Sequence, residues 1–243
     1  MLNKRLINTG VNAIAGPTGA TLEALGFGGD SYPVAWQYGI DAHDGLIYNI
    51  NRDSFAIGIS TWPPPVFSAT YTTTYPNPYK PLVISRESDG NFLVVITSLG
   101  TKRYNPSFVE IDTLGGSGWD ITATDIGYAA TDTSNWVYIY DNTGGLLNMW
   151  IPSQGGTSAY NGIAWDGSGL WVSSETSIGS GTGGVCYKYD LNGNYTGYSF
   201  PLWADRPFAT MGYDPIQEKF YGFQRPSGAA YGGTIARYGA TFN

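Results

Sequence analysis

Charge is scarce in this chain of 243 residues, where only 13% of positions carry Asp, Glu, Lys or Arg. Acidic residues outnumber basic ones by 19 to 12, and the net charge of −7 argues against an electrostatic grip on nucleic acid or anionic lipid. The single cysteine, Cys186, excludes an intrachain disulfide framework. Set between Val185 and Tyr187 in a strand-like run, it reads as a small buried hydrophobe. One histidine, His43, is too few for a structural zinc site, and a histidine-based triad would have to use it. No G-x-S-x-G, no phosphate-binding G-x-x-x-x-G-K-[ST] and no strand-linked G-x-G-x-x-G is present. No apolar run approaches the length that spans a bilayer, so no membrane insertion is expected. From these absences we expect no catalytic residue, no metal and no cofactor, and hence a non-enzymatic protein. Asp41-Ala42-His43-Asp44 packs three potential ligands into four residues, but a turn histidine is the simpler reading. Asp190-Leu191-Asn192-Gly193-Asn194 has the alternating oxygens of a calcium loop without its later bidentate acid, and Asn-Gly marks it as a hairpin.

What the chain does have is glycine (34), tyrosine (19), proline (14) and tryptophan (8). Gly and Pro cluster between short aromatic and β-branched runs, the composition of an all-β protein with many turns. Tyr160 to Pro201 shows the pattern most fully. Gly162–Trp165 stops at Asp166-Gly167-Ser168-Gly169, and Leu170–Ser174 runs into a Gly/Ser/Thr loop. Val185–Tyr189 then meets Asp190-Leu191-Asn192-Gly193, and Asn194–Phe200 completes four short strands. Four antiparallel strands in about forty residues is the size of one propeller blade.

The strand–turn–strand unit recurs five times, with turn aspartates at Asp44, Asp89, Asp132, Asp166 and Asp214. A third-strand tyrosine recurs at Tyr140, Tyr189 and Tyr238. A short carboxylate accepts from backbone amides two residues on, so turn chemistry explains the aspartates without a ligand. The fold class is therefore an all-β, five-bladed β-propeller over residues 31–243, preceded by an N-terminal extended arm over 1–30. The fifth repeat ends after three strands, and a propeller must close. An N-terminal strand, most plausibly Ser31–Trp36 and otherwise part of the arm, is expected to supply the fourth. Val66–Tyr75 is a candidate outer strand of the first blade within the proline-rich Ser60–Pro81 insertion.

The arm is Gly-punctuated, with room for a short helix over Thr18–Leu25, and its alternative is a disordered leader. Asn8, Thr9, Gly10 and Asn12 interrupt any apolar core, so no secretory signal is expected. Its apolar residues Leu2, Leu6, Ile7, Val11, Ile14, Leu22 and Leu25 are candidates for docking a partner. Trp136, Trp165 and Trp171 are assigned to packing between blades. Trp62, Tyr71, Tyr75, Tyr79 and Trp203, in or beside proline-rich loops, are candidates for stacking on a glycan.

GIAWDGSGLWV with YKYDLNGN resembles the blade motif of five-bladed propellers of the glutaminyl cyclase type, and of lactonase and lyase propellers. Such motifs belong to the scaffold, and the resemblance implies no site residue in this chain. The whole chain, turn-rich and without a signal, is similar to bacteriophage virion components, especially tail, nozzle or fibre proteins. That likeness implies a structural virion protein docked to other virion proteins through its arm, and oligomeric in the assembly. The alternatives are a lectin-like propeller binding host-surface glycan, extracellular in place of virion-borne, and a propeller enzyme of cyclase or lyase type.

Overall fold

The structure is a computed structural model, described here for residues 20–27, 38–51, 56–62, 68–72, 81–155, 162–174, 184–202, 210–224 and 234–240. These form strands without a helix. The first, β1 (Ala20–Phe27), precedes four complete meanders. Blade one comprises β2 (Tyr38–His43), β3 (Leu46–Asn51), β4 (Ala56–Thr61) and β5 (Ser68–Thr72). Blade two comprises β6 (Pro81–Arg86), β7 (Phe92–Ile96), β8 (Gly100–Tyr104) and β9 (Glu110–Thr113). Blade three follows with β10 (Asp120–Thr124), β11 (Gly127–Thr131), β12 (Val137–Asp141) and β13 (Leu146–Trp150). Blade four has β14 (Ile163–Trp165), β15 (Leu170–Ser174), β16 (Val185–Tyr189) and β17 (Tyr195–Pro201). Blade five supplies β18 (Thr210–Asp214), β19 (Lys219–Gln224) and β20 (Thr234–Ala240) and takes β1 as its outer strand. All pairings are antiparallel, and the innermost strands touch in the cyclic order β2, β6, β10, β14, β18 and back to β2. The fold is thus a five-bladed β-propeller.

Strand alternation explains why five sheets make one body. Successive side chains on a strand leave by opposite faces, so each blade offers an apolar surface to both neighbours. In β15, Trp171 joins Phe200, Phe220 and Tyr238 between blades four and five, while Leu170 and Val172 join Ile139 and Trp150 between blades three and four. Three further buried clusters fill the other three blade interfaces. Burying such side chains is worth roughly 1.5–3 kcal/mol each, and no isolated four-stranded sheet could bury both of its faces.

The motif quoted for blade four has a physical cause. The Asp166 carboxylate accepts from Ser168 N and Gly169 N at 2.8 Å, which closes the turn. It also takes the indole N–H of Trp171 and the ammonium of Lys188, each at 2.7 Å, locking the buried tryptophan. Asp214 closes its own turn through Ile216 N and reaches blade one, accepting from Asp44 N at 3.0 Å and Gly45 N at 2.6 Å.

Three expectations from the sequence need correction. The ring is closed by an N-terminal strand drawn from the arm, Ala20–Phe27, in place of the favoured Ser31–Trp36, which lie outside the described residues. Its register runs from Ala20 opposite Ala240 to Phe27 opposite Thr234. Residues 20–27 therefore belong to the propeller sheet, and the rest of the expected 1–30 arm lies outside the described residues. The same stretch is extended, against the helix allowed for Thr18–Leu25. The exposed backbone edge of β20 offers it a full ladder of partners, which outweighs weak local helix preference. Glu23 adds ion pairs to Lys219 and Arg237. In blade three, finally, Asp132 lies between the second and third strands. The turn equivalent to Asp44 and Asp166 is Asp125-Ile126, because the innermost strand is Asp120–Thr124, a run too polar to signal a strand. The Val66–Tyr75 reading does contain the outer strand β5.

Deleting residues up to Phe27 leaves β20 as an unpaired edge. The expected outcome is a fall in melting temperature of about 10 °C or more, at about 2–4 °C per kcal/mol for a domain of this size. A truncated protein melting within two or three degrees of the full chain, on the same scale, would show that β1 does not hold the ring.

Candidate active site on the propeller axis

The innermost strands bring a repeated position to the axis. In β2, β6 and β10 it is held by Asp41, Ser85 and Thr122, and each side chain accepts a backbone N–H from the next blade. Asp41 Oδ2 accepts from Arg86 N at 2.5 Å, Ser85 Oγ from Ala123 N at 3.0 Å and Thr122 Oγ1 from Trp165 N at 3.0 Å. In β14 and β18 the position passes to Ala164 and Gly212. Gly212 is required there, since a Cβ would come within 2.5 Å of the Asp41 backbone. Nearer the strand starts, Asp120 crosses the axis. Its Oδ2 accepts from Ile163 N at 2.8 Å and Met211 N at 2.9 Å, so one carboxyl joins blades three, four and five.

These two acids are the most perturbed carboxyls described. Burial pushes the Asp41 carboxyl up to about 7, although bonds from Arg86 N, Ala42 N and the Ser85 hydroxyl and the nearby Arg86 charge all oppose the shift. Burial raises Asp120 well above the usual carboxylate range too, and the charge of Asp41 adds to it. Desolvation outweighs hydrogen bonding at both, so the neutral acid is the favoured form in a dry, low-dielectric site.

A cavity of about 680 Å³ opens above Asp41, at the end of the innermost strands where the first turn of each blade gathers. That volume is in the range of sites for small molecules. Asp41, Ser85 and Thr122 line its depth, Trp165 and Tyr213 supply aromatic walls, and His43, Arg86 and Arg103 bring nitrogen. Burial and the Arg86 charge lower the pKa of His43, which keeps its imidazole neutral around pH 7. The Arg103 fork is occupied by Glu87 at 2.8 and 2.9 Å, with Asp112 at 3.6 Å. Arg86 differs. Among the described residues no side chain bonds to its guanidinium, and its Nη1 is buried without a partner. A proton-carrying acid with a pKa near neutrality beside an uncompensated cation can exchange a proton with a bound substrate and stabilise negative charge on it.

The sequence-predicted candidates do not meet here. Trp62 packs half-buried against the interface of blades five and one, its ring 5.6 Å from Tyr221 and under Arg237 at 5.1 Å. Tyr71 lies in the outer strand β5, and Leu22 and Leu25 lie in the closing strand β1. Tyr75, Tyr79, Trp203, Leu2, Leu6, Ile7, Val11 and Ile14 lie outside the described residues. Trp165, assigned to packing, lines the cavity and donates its indole N–H to Asp125 at 3.2 Å. Trp171 is a core residue as expected. The Asp41-Ala42-His43-Asp44 cluster is dispersed: Asp41 faces the axis, His43 the cavity wall, and Asp44 occupies a turn with φ of 51°. Among the described residues no three His, Cys, Asp or Glu side chains are grouped as a metal site. Sequence reading passed over Asp41 as an axial group, and Asp120, Ser85 and Arg86 altogether. The available signal was an acid flanked by apolar residues inside an innermost strand, as in Ile40-Asp41-Ala42 and Trp119-Asp120-Ile121.

No family model matches this chain, and no curated protein does. Solved structures do. The crystal structure of a glutaminyl cyclase from Myxococcus xanthus matches with a TM-score of 0.58 at 8% identity, covering 92% of this chain and 97% of that one. A virginiamycin B lyase from Staphylococcus aureus, 16% identical, covers 90% of this chain and 74% of that one with a TM-score of 0.47. At these identities the likeness is one of fold. The glutaminyl cyclase is itself an enzyme, a finding that goes against the expectation of a non-enzymatic protein drawn from absent motifs.

The Asp41 shift has a consequence for stability. Its pKa in the folded chain, about 7, lies above its ordinary value of 3.8, so the folded state keeps a proton that the unfolded state releases. Stability is therefore greatest below the lower value and falls as pH rises toward 7, by at most about 1.4 kcal/mol per pH unit for one group. Asp41→Asn is expected to flatten the fall in melting temperature across that window in part, with Asp120 retaining its own contribution of the same sign. Identical slopes in wild type and variant would refute the buried titration of Asp41.

Proposed function

We propose that this chain is a propeller enzyme of the cyclase type, with the axial cavity as its active site and Asp41 as the group that moves the proton. The observation that carries the reading is the Asp41 carboxyl itself, buried at the depth of a cavity and held close to half-protonation at neutral pH. The fold it shares with a glutaminyl cyclase supports the choice of reaction. Cyclising an N-terminal glutaminyl group joins the α-amine to the side-chain amide carbon and expels ammonia. The amine must lose a proton and the departing nitrogen must gain one. One acid–base group with a pKa near the working pH can do both in turn. The Ser85 hydroxyl, bonded to Asp41 and to Ala123 N, holds that carboxyl in place. The Arg86 cation lines the same cavity. This reading takes the place of the non-enzymatic virion role expected from composition.

The test is ammonia release from glutaminyl peptides by the purified full-length protein. Wild type is expected to turn over with a pH profile governed by a group near 7, and Asp41→Asn to lose about a hundredfold or more in kcat. Absence of cyclisation by wild type, or full activity with an unchanged profile in Asp41→Asn, would reject the assignment.

A further inference from the structure

The uncompensated cation in the axial cavity says what kind of molecule the cavity receives. We infer that the axial cavity binds small organic monocarboxylates, with the Arg86 guanidinium as carboxylate receptor and Trp165 and Tyr213 against the ligand's apolar body. The inference rests on the reading of this cavity as the active site and adds the chemical class of its ligand.

The cavity's charges narrow the choice. Of its two arginines, Arg103 is satisfied by Glu87 on two nitrogens and by Asp112, so it has little left to offer a ligand. Arg86 has a buried Nη1 without a partner, and its backbone N–H, not its guanidinium, is what binds Asp41. A planar guanidinium matches a carboxylate with two parallel N–H···O bonds, a geometry that an ammonium cannot reproduce. Leaving such a donor buried and unbonded costs free energy, and a ligand that satisfies it recovers that cost. Among the described residues, this one guanidinium without a side-chain hydrogen bond matches a single negative charge. A phosphate dianion would bring a second charge to a cavity that also holds Asp89 and Asp125, and both acids would repel it. His43, kept neutral, offers no second cation. The protonated form of Asp41 beside Arg86 accepts an anionic neighbour that its ionised form would oppose. Around these polar groups, Trp165, Tyr213, Pro215 and Ile111 give the walls an apolar share suited to a hydrocarbon or ring.

Calorimetric titration of the full-length protein tests this with three probes: phenylacetate, its neutral analogue phenylacetamide, and inorganic phosphate. Phenylacetate is expected to bind, with the amide and phosphate at least about tenfold weaker. Arg86→Gln should lose about tenfold or more of the phenylacetate affinity and leave the amide unchanged, and Arg86→Lys should fall between. Near-UV circular dichroism confirms that each variant is folded, and Arg86→Lys carries the comparison if the glutamine variant is not. No phenylacetate binding by wild type at millimolar concentration, equal binding of the amide, tighter binding of phosphate, or unchanged affinity in both Arg86 variants would each overturn the proposal. The two readings fail separately. Carboxylate binding that depends on Arg86 with full turnover in Asp41→Asn sinks the catalytic assignment alone. Lost turnover in Asp41→Asn with binding indifferent to Arg86 sinks the ligand class alone.

Discussion

Each blade of this protein is apolar on both faces, and a four-stranded sheet with two sticky faces has no stable existence by itself. Everything else depends on that constraint. It demands that every blade have two neighbours, which only a closed ring provides, and closure brings five innermost strands together around an axis. Trp171 facing one neighbour while Leu170 and Val172 face the other is the constraint expressed within three residues. The contact of β18 with β2 completes the circle, and Asp214 reinforces it by capping a turn in the blade beyond its own.

The axis that closure creates is both dry and polar, and that combination makes chemistry possible there. Innermost strands cannot fill the narrow centre with large side chains, so Gly212, Ala164, Ser85 and Thr122 stand where bulk is excluded. Backbone N–H groups near the centre then need acceptors, and Asp41, Ser85, Thr122 and Asp120 provide them across blade boundaries. The same acids are driven toward their neutral forms because the ring keeps water from them. On the proposed reading, one carboxyl, that of Asp41, meets both a structural requirement for an acceptor and a functional requirement for a proton donor.

Much of this architecture was legible in the sequence because blade strands are built from local signals. Aromatic runs bounded by Asp, Asn and Gly mark the strands and turns of blade four almost residue by residue, and Tyr140, Tyr189 and Tyr238 do lie in third strands. The misreadings share a cause. Ala20–Phe27 is a strand only because β20, far away in sequence, presents an edge, and no local pattern carries that information. Asp120–Thr124 was missed because an innermost strand beside a polar axis need not be apolar. The axial site was hidden for the same reason. Asp41 and Asp120 acquire their character from a convergence of five blades, and Arg86 matters because Glu87 pairs with the other arginine and, among the described residues, no side chain bonds to the Arg86 guanidinium. The fold of the glutaminyl cyclase likeness was legible from GIAWDGSGLWV, but a scaffold motif says nothing of which side chains meet at the centre.

The seam between β1 and β20 also orders events in time. A ribosome makes the closing strand first and its partner last, with roughly two hundred residues between them, and at about 5–20 residues per second the wait is on the order of ten to forty seconds. Through that interval four blades can assemble one upon the next, each new sheet covering the face its predecessor left bare. The early strand has no place to go until the final hairpin appears. The ring is therefore latched only once β20 has left the ribosome, and the propeller's cooperativity is conferred by its final hairpin.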